Sequence, residues 1–321
     1  MKRAYEAGLQ EVGDGLYAYL QPDGGWGWSN AGLISDGESA LLIDTLFDLE
    51  LTAKMLEQMR AAVPAAARIE TVVNTHANGD HCYGNQLVGD ALIIASERAA
   101  AEMSELPPAA MAALLEQAPS LGRAGELFAR CFGRFDFSGI ELTLPKETFS
   151  GELVLRVGER KLRLEEVGPA HTQGDTIVVL DRERVVFTGD ILFNGAHPIA
   201  WAGPVSNWIA ACRHVEQLDP VTVVPGHGPL ASSEDVRELR AYFEYLYERA
   251  RDAHREGRTP LQAARELQME RYADWGERER LVVNIATIYA ELDGGEPLNP
   301  LEAFQQMAEL DASISELDAS S

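Results

Sequence analysis

The chain has 321 residues, and 51 acidic against 27 basic side chains give it a formal net charge of -24. A surface of this sign repels phosphate backbones and anionic lipid headgroups, and the sequence shows no basic patch, so nucleic acid and membrane surfaces are excluded as partners. With 46% hydrophobic residues there is ample material for a large core, and the length suggests about two domains.

The lack of a predicted targeting signal and the cysteine usage favour a cytoplasmic protein. Residues 1–6 carry two basic side chains but lead into no apolar segment of the kind that a secretory signal needs. No run of 18 apolar residues predicts a transmembrane helix. The three cysteines, Cys82, Cys131 and Cys212, are far apart and odd in number, which predicts reduced thiols and no disulfide framework.

The first elements in the chain predict a sheet followed by a helix. Residues 9–20 and 31–44 alternate or run apolar, as strands do, and a glycine-rich loop interrupts them. Trp26 and Trp28 in this loop either line a substrate pocket or only pack the loop, and the sequence leaves both interpretations open. Residues 49–62 then show the periodicity of an amphipathic helix.

The stretch Thr75-His76-Ala77-Asn78-Gly79-Asp80-His81 contains four potential metal ligands directly after residues 69–74, which predict a buried strand. In an extended segment His76 and Asn78 point to one side, and Gly79 permits a turn that brings Asp80 and His81 round to it. Imidazole and carboxylate ligands suit zinc, iron or manganese. The pattern predicts a compact metal cluster at the carboxyl end of a strand.

The next hundred residues predict a helical insert and then more strands. Residues 92–95 form a short apolar run, and residues 97–132 are rich in Ala, Glu and Leu but broken by prolines, which predicts a set of helices. Residues 142–144, 153–157 and 161–167 are predicted as strands.

Three further apolar runs end on a polar residue beside glycine: the first leads to His171, the second ends at Asp190 and the third at His227. Taken singly, each is more often a turn Asp or a loop His than a ligand. Open α/β folds place their sites at such strand ends, so four of them in one chain predict one shared site.

The loop after Asp190, residues 193–204, contains His197 and Trp201. It begins close enough to Asp190 for its side chains to reach the open face of a metal site. His197 is therefore a candidate catalytic residue that orients substrate or relays a proton, although a histidine before proline is more often structural. Trp201 is predicted to line the same substrate pocket as Trp26 and Trp28.

From Ser232 the pattern becomes helical. Thr259-Pro260 and Asn299-Pro300 predict helix starts, and Gly294 predicts a helix end. We expect a catalytic domain over residues 1–230 and a helical extension over residues 231–310, packed on the sheets or on a second subunit of a homodimer. Residues 311–321 lack a core pattern and predict a disordered, frayed tail.

Together, the HxxxDH-type motif, the His171 before ThrxGlyAsp, the strand ending at Asp190 and the ProGlyHisGly at His227 resemble the metallo-β-lactamase superfamily over residues 12–230. The resemblance implies an α/β fold, an αβ/βα four-layer sandwich with its metal site at the edge between two sheets. It assigns His76 and His171 to a first metal site, Asp80, His81 and His227 to a second, and Asp190 to a bridge.

Asn78 stands where the superfamily motif HxHxDH has its second histidine. An amide oxygen is a weaker zinc ligand than imidazole, so the resemblance implies one tightly held Zn²⁺, with the other weak, absent or dependent on substrate. Iron and manganese remain alternatives.

The resemblance further implies a metal-dependent hydrolase that activates water toward a small-molecule ester, thioester or lactone, with Asp80 or Asp190 accepting the proton. Residues 17–26, 30–32 and 76–81 also resemble the cyclases and thioesterases of bacterial aromatic polyketide pathways. Two alternatives stay open: an iron-dependent oxidoreductase of the same fold, and a degenerate, non-catalytic binding protein. Retention of the second site's ligands argues against the latter.

Overall fold

The computed structural model describes residues 5–318, and two β-sheets form its centre. Within those residues the first sheet has seven strands in sequential order: β1 (Gly8–Gly13), β2 (Leu16–Leu20), β3 (Ala31–Asp36), β4 (Ser39–Ile43), β5 (Thr71–Val73), β6 (Leu92–Ser96) and β7 (Glu147–Phe149). β1 to β4 form an antiparallel meander, whereas β4 to β7 are parallel to one another. The polar residues after β4 and β5 therefore lie at the same edge.

The second sheet, within the same described range, has five strands: β8 (Glu152–Val157), β9 (Arg160–Glu166), β10 (Thr176–Leu180), β11 (Val185–Phe193) and β12 (Thr222–His227). β8 to β11 are antiparallel, and β11 pairs in parallel with β12. The carboxyl halves of β11 and β12 consequently lie side by side. Asp190 lies within β11, which continues three residues beyond it to Phe193, and His227 is the last residue of β12.

Helices cover the sheets and form the C-terminal part of the chain: α1 (Leu49–Ala62), α2 (Gly79–Cys82), α3 (Glu97–Glu102), α4 (Pro108–Gln117), α5 (Gly122–Phe132), α6 (Val205–Gln217), α7 (Ser233–Arg255), α8 (Pro260–Glu266), α9 (Leu281–Asp293) and α10 (Pro300–Asp318). The predicted helix starts are confirmed at α7, where Ser232 and Asp235 form a capping box, and at α8, where Thr259 and Gln262 do the same.

The layers follow from where the apolar side chains lie. Leu41 of the first sheet and Leu164 and Val178 of the second belong to one core between the sheets. Met55 of α1 packs in a second core on the outer face of the first sheet, and Trp208 of α6 packs in a third on the outer face of the second. The predicted αβ/βα four-layer sandwich with a C-terminal helical extension is confirmed.

Two details differ from the sequence prediction. Residues 142–144 are irregular, and the strand at this edge is β7, because Phe149 is the side chain that enters the core between the sheets while Leu144 is exposed. The frayed tail predicted from residue 311 is instead helical up to Asp318, since Met307 and Leu310 are buried and fix α10 to the core; residues 319–321 lie outside the described range.

Other features agree with the sequence. Cys82, Cys131 and Cys212 are buried free thiols. A search of the described residues finds no helix whose length and apolarity would suit a bilayer span.

Candidate metal centre

Buried side chains from five segments meet at the edge where the two sheets approach each other. They come from the loop after β5, from α2, from the loop before β10, from the carboxyl half of β11 and from the last residue of β12. The residues are His76, Asp80, His81, His171, Asp190 and His227. Four strand ends predicted to share one site do share it.

Asp190 lies at the centre of this cluster. Its carboxylate oxygens are 3.8 Å from Nε2 of His76, 3.1 Å from that of His81, 3.3 Å from that of His171 and 3.4 Å from that of His227. A carboxylate that faces four imidazole nitrogens is positioned to bridge two ions.

The cluster divides into two groups that could each hold an ion. His76, His171 and Asp190 form one group, and Asp80, His81 and His227 form the other, with the ligand atoms of each group within 4.8 Å of one another. The structure thus brings together the histidines and carboxylates that the sequence predicted as ligands.

Each imidazole is anchored through its Nδ1, which leaves Nε2 to face the centre. The Nδ1 partners are Thr75 Oγ1 for His76 at 2.9 Å, Asp44 Oδ2 for His81 at 2.9 Å, the Ile199 carbonyl for His171 at 2.7 Å and the Gly24 carbonyl for His227 at 3.1 Å. Nε2 of His76, Nε2 of His81 and Oδ1 of Asp190 are buried without hydrogen-bond partners among the described residues. Unpartnered buried nitrogen and oxygen atoms aimed at one point are what a bound divalent cation requires, so the residues fit a metal.

Asp44, at the end of a predicted strand, is a positioning residue that the sequence analysis did not single out. Its carboxylate accepts hydrogen bonds from the Thr75 amide at 2.7 Å and the Thr75 hydroxyl at 2.8 Å, besides that from His81. Because the Thr75 hydroxyl donates to Asp44, it is free to accept from His76. One buried carboxylate thereby orients two ligand imidazoles.

A close contact with Asp190 explains why residue 226, directly before His227, is a glycine. A Cβ at this position would lie 1.9 Å from Oδ1 of Asp190. Any side chain would push the β12 end away from the central carboxylate, so the close approach of the two strand ends requires glycine.

Asn78 also reaches the cluster, at the place where the superfamily motif has a histidine. Its Nδ2 is 3.1 Å from Nε2 of His171. Since Nδ1 of His171 donates to the Ile199 carbonyl, Nε2 is the acceptor and the amide of Asn78 donates to it. The group that contains His171 therefore has an amide hydrogen bond where the other group has a free ligand nitrogen.

Electrostatics favour a deprotonated central carboxylate. Burial acts to raise the pKa of Asp190, but the surrounding imidazoles outweigh burial and hold it well below its usual range. Burial acts to lower the pKa of His81, yet Asp190, Asp80 and Asp44 outweigh burial and raise it. A cation entering this cluster would displace protons and take over their charge compensation.

Two of the three predicted pocket tryptophans converge beside the cluster. The ring centroids of Trp26 and Trp201 are 6.2 Å apart, and the Trp201 amide donates to the His171 carbonyl at 3.0 Å. Phe304 of α10 packs against both rings, at 5.8 and 6.5 Å. Trp28 instead packs on Phe135 at 4.9 Å, on the side of the helical insert.

The C-terminal extension contributes more to this region than its sequence indicated. Glu279 accepts a hydrogen bond from Trp26 Nε1 at 2.9 Å, and the Arg280 guanidinium lies over the Trp26 ring at 4.0 Å. Phe304 and these two residues come from segments predicted only to pack. Their residue types can be read from the sequence. Their proximity to the cluster depends on tertiary contacts between segments that are far apart in the chain.

Helix α9 also holds the loop that anchors His171. Asn284 accepts from the Ala200 amide at 2.8 Å and donates to the Pro198 carbonyl at 2.8 Å, and Thr287 donates to the Ala200 carbonyl at 2.8 Å. The loop residue Ile199 in turn accepts from His171. The extension thus supports a ligand imidazole through the loop.

His197 does not contact the metal cluster. The side chain is fully buried, its Nδ1 pairs with the Tyr242 hydroxyl at 3.1 Å, and its ring packs against Trp275. None of its described contacts is with the clustered ligands, because its side chain packs against residues of the extension. The expected substrate-orienting role of His197 has no supporting contact, whereas a packing role has several.

His197 should make stability depend on pH. Burial, with Arg278 and Arg280 nearby, lowers the pKa of His197 to about 3, whereas an unfolded histidine titrates near 6.5. Below that pH the unfolded chain takes up a proton that the folded chain does not, so stability falls as pH decreases. Between pH 7 and pH 5 the wild type should lose about 2 kcal/mol more than His197→Asn in urea unfolding.

Both proteins keep the same metal ligands, so their other pH effects cancel in this comparison. An equal decline of stability in the two proteins would show that His197 is protonated in the folded state.

Comparison with known proteins places this geometry in a family. The sequence profile of the metallo-β-lactamase superfamily matches residues 24–227, which contain the whole cluster. A search of the curated proteins finds no match.

Solved structures agree with the fold. The inverting sec-alkylsulfatase Pisa1 from Pseudomonas sp. is 18% identical with a TM-score of 0.65; the match covers 92% of this chain and 53% of that protein, so this chain spans about half its length. A metallo-β-lactamase from Pontibacter korlensis is 17% identical with a TM-score of 0.57, covering 74% of this chain and 99% of that protein.

FIM-1 from Pseudomonas aeruginosa, solved in a mono-zinc form, is 17% identical with a TM-score of 0.54, covering 75% of this chain and 97% of that protein. At such identities the likeness concerns the fold alone, and none of these neighbours supports the resemblance to polyketide cyclases. The profile match, which spans the cluster and most of both sheets, shows that this chain belongs to the metallo-β-lactamase superfamily.

Proposed function

We propose that the protein is a metal-dependent hydrolase that cleaves an ester-type bond in a small molecule with a flat or extended apolar body. The observation that carries this proposal is the buried cluster in which four imidazoles present Nε2 to one central carboxylate while their Nδ1 atoms are anchored elsewhere. A purely structural cluster would pair these atoms with one another or with donors, and several are left without partners.

The ligand sets suggest how many ions are held. Asp80, His81 and His227 with Asp190 form a complete set of strong ligands, which we assign to one tightly bound Zn²⁺. His76 and His171 share Asp190 but have Asn78 as their third neighbour, so an ion there would be held more weakly than an ion in the complete set. The donor set also suits iron or manganese.

The catalytic chemistry divides between the metal and the chain. When bound, a divalent ion lowers the pKa of water and polarises a carbonyl or comparable acceptor. Asp80 is the better candidate to accept the proton from the attacking water, because its side chain is 12% exposed while that of Asp190 is 3% exposed. Asp190, enclosed by imidazoles, holds the two ligand groups together.

The apolar body of the substrate would lie against Trp26 and Trp201. Large aromatic faces bury apolar area with little loss of side-chain freedom, and both tryptophans are only partly buried. This wall suits an aryl or long acyl group in a thioester, ester or lactone, and intramolecular cyclisation of a poly-β-keto chain would use the same oxyanion stabilisation.

The test is a panel of substrates with the zinc-loaded protein: an aryl thioester, an aryl ester, a lactone, a β-lactam and a secondary alkyl sulfate, with His81→Ala as the blank. We expect thioester or ester turnover that His81→Ala lacks. Rapid β-lactam hydrolysis without ester turnover would overturn the substrate assignment. Tightly bound iron with visible colour and no hydrolysis would favour an oxidoreductase of the same fold.

A further inference from the structure

Arg280 is a buried cation at the edge of the proposed substrate region. Its side chain is 1% exposed, and it belongs to the C-terminal extension, outside the residues that the family profile covers. The guanidinium carbon lies 4.0 Å from the centroid of the Trp26 ring and 5.4 Å from that of Phe193. A guanidinium on two aromatic faces keeps its edge available for hydrogen bonds.

The guanidinium lies one aromatic ring away from a metal ligand. The Phe193 ring that it faces stacks on the His227 imidazole, with centroids 5.0 Å apart and planes inclined by 3°. On its other side, Trp26 joins Trp201, whose amide is bonded to the His171 carbonyl. An anionic group that pairs with Arg280 would therefore lie about one aromatic ring away from the ligand cluster.

The hydrogen-bonding capacity of Arg280 is largely unused. Nη1 donates to the His197 carbonyl at 3.0 Å, whereas Nε is buried without a partner among the described residues. Among the described side chains, which belong to residues 5–314, no carboxylate forms an ion pair with this guanidinium. Burial raises the pKa of Glu277, and the nearby Arg280 lowers it by a smaller amount. The Glu277 carboxylate nevertheless lies beyond ion-pair distance of the Arg280 guanidinium.

A buried cation without a paired anion is costly, and the aromatic faces compensate only part of that cost. Arginines nearer the surface of this acidic chain form ion pairs with carboxylates, as Arg163 does with Asp181 at 2.8 Å. Arg280 differs because no described carboxylate lies within ion-pair distance of its guanidinium, and Glu277 acts on it only from further away. The buried Nε–H of Arg280, which has no partner among the described residues, is therefore a donor that an oxyanion from outside the chain could use.

We propose that Arg280 recognises an anionic oxyacid group on the substrate, so that the apolar ester of the proposed function also carries a carboxylate or a sulfate near the scissile bond. This inference rests on the proposed function, because it concerns the substrate of that reaction. Binding of an anion at Arg280 can nevertheless be tested without turnover. A planar fork of N–H donors in a dry environment suits such groups and would orient the ester toward the ligand cluster.

The test measures binding of three small arenes to the zinc-loaded protein by calorimetry: benzoate, benzenesulfonate and the neutral benzamide. We expect at least one anion to bind about tenfold or more tightly than benzamide, because charge-assisted hydrogen bonds are the strong ones. Tighter benzoate binding would indicate a carboxylated acyl substrate, and tighter benzenesulfonate binding would indicate a sulfate ester.

Arg280→Gln should abolish the preference for anions, while Arg278→Gln, an exposed arginine two positions earlier, should leave it intact. Zinc content and circular dichroism are compared in all variants. A preference that survives Arg280→Gln would place the anion on the metal and overturn the proposal, as would equal binding of all three arenes by the wild type.

Arg280→Lys covers the case in which Arg280→Gln does not fold. It keeps the charge but loses the fork, so anion affinity should fall several-fold while benzamide affinity stays constant; unchanged anion affinity would contradict the proposal. Hydrolysis without an Arg280-dependent preference for anions would contradict this inference and leave the proposed function standing. An Arg280-dependent preference for anions without any hydrolysis would contradict only the proposed function.

Discussion

Replacing His227 with alanine should remove most of the bound metal and, with it, most of the hydrolytic activity. Nε2 of His227 lies 3.3 Å from Asp80 and 3.4 Å from Asp190, at the centre of the ligand set that has no weak member. Removing one strong ligand from a four-ligand zinc site leaves a position that only water can fill. Metal per chain is measured by elemental analysis of protein purified without chelator.

Asn78→Ala is the matched control. Asn78 reaches the same cluster, but an amide that hydrogen bonds to His171 is not a strong ligand, so this variant should retain its metal. Equal metal loss in the two variants would defeat the assignment of the tight site to the group that contains His227.

Replacing Asp44 with asparagine should weaken zinc binding by about 10- to 100-fold, the usual effect of losing a partner that orients a ligand. The carboxylate is buried and holds both His81 and Thr75, and through Thr75 it fixes His76. An amide at this position would present N–H groups to at least one of those donors. Zinc affinity is measured by competition with a chromophoric chelator.

Asp48→Asn is the control for this variant. Asp48 is also a buried carboxylate near the end of β4, but it caps helix α1 by accepting from the Leu51 amide. Asparagine also caps helices, so this replacement should change stability little and leave zinc affinity unchanged. Zinc affinities that are equal in the two variants would mean that Asp44 serves the fold and not the ligands.

The clustered histidines and carboxylates were predictable from sequence because they end or closely follow locally recognisable apolar runs, and because their order resembles that of a known superfamily. Asp190 and His227 follow β-branched stretches whose parallel pairing brings their carboxyl ends together, as in other α/β sheets. The glycine beside His227 could be noticed in the sequence, but its reason, contact with Asp190, appears only in the structure.

Residues that depend on distant contacts were not predictable. Arg280 is more than fifty residues beyond His227, and its placement on Trp26 results from the packing of the whole extension. His197 is close to Asp190 in sequence, but its own side chain packs against Tyr242 and Trp275 of the extension, while the backbone of its loop stays beside His171. Proximity along the chain predicts contact within one element but not across a loop whose course is set by another helix.

The proposed hydrolase is tested most directly by the rate of thioester or ester cleavage as zinc is added to chelator-stripped protein. The rate should rise linearly and stop rising at about one equivalent of zinc per chain, because only one ligand set is complete. A rate that does not respond to zinc would contradict a metal-dependent hydrolase, and a rise that continues to about two equivalents would contradict the single tight site.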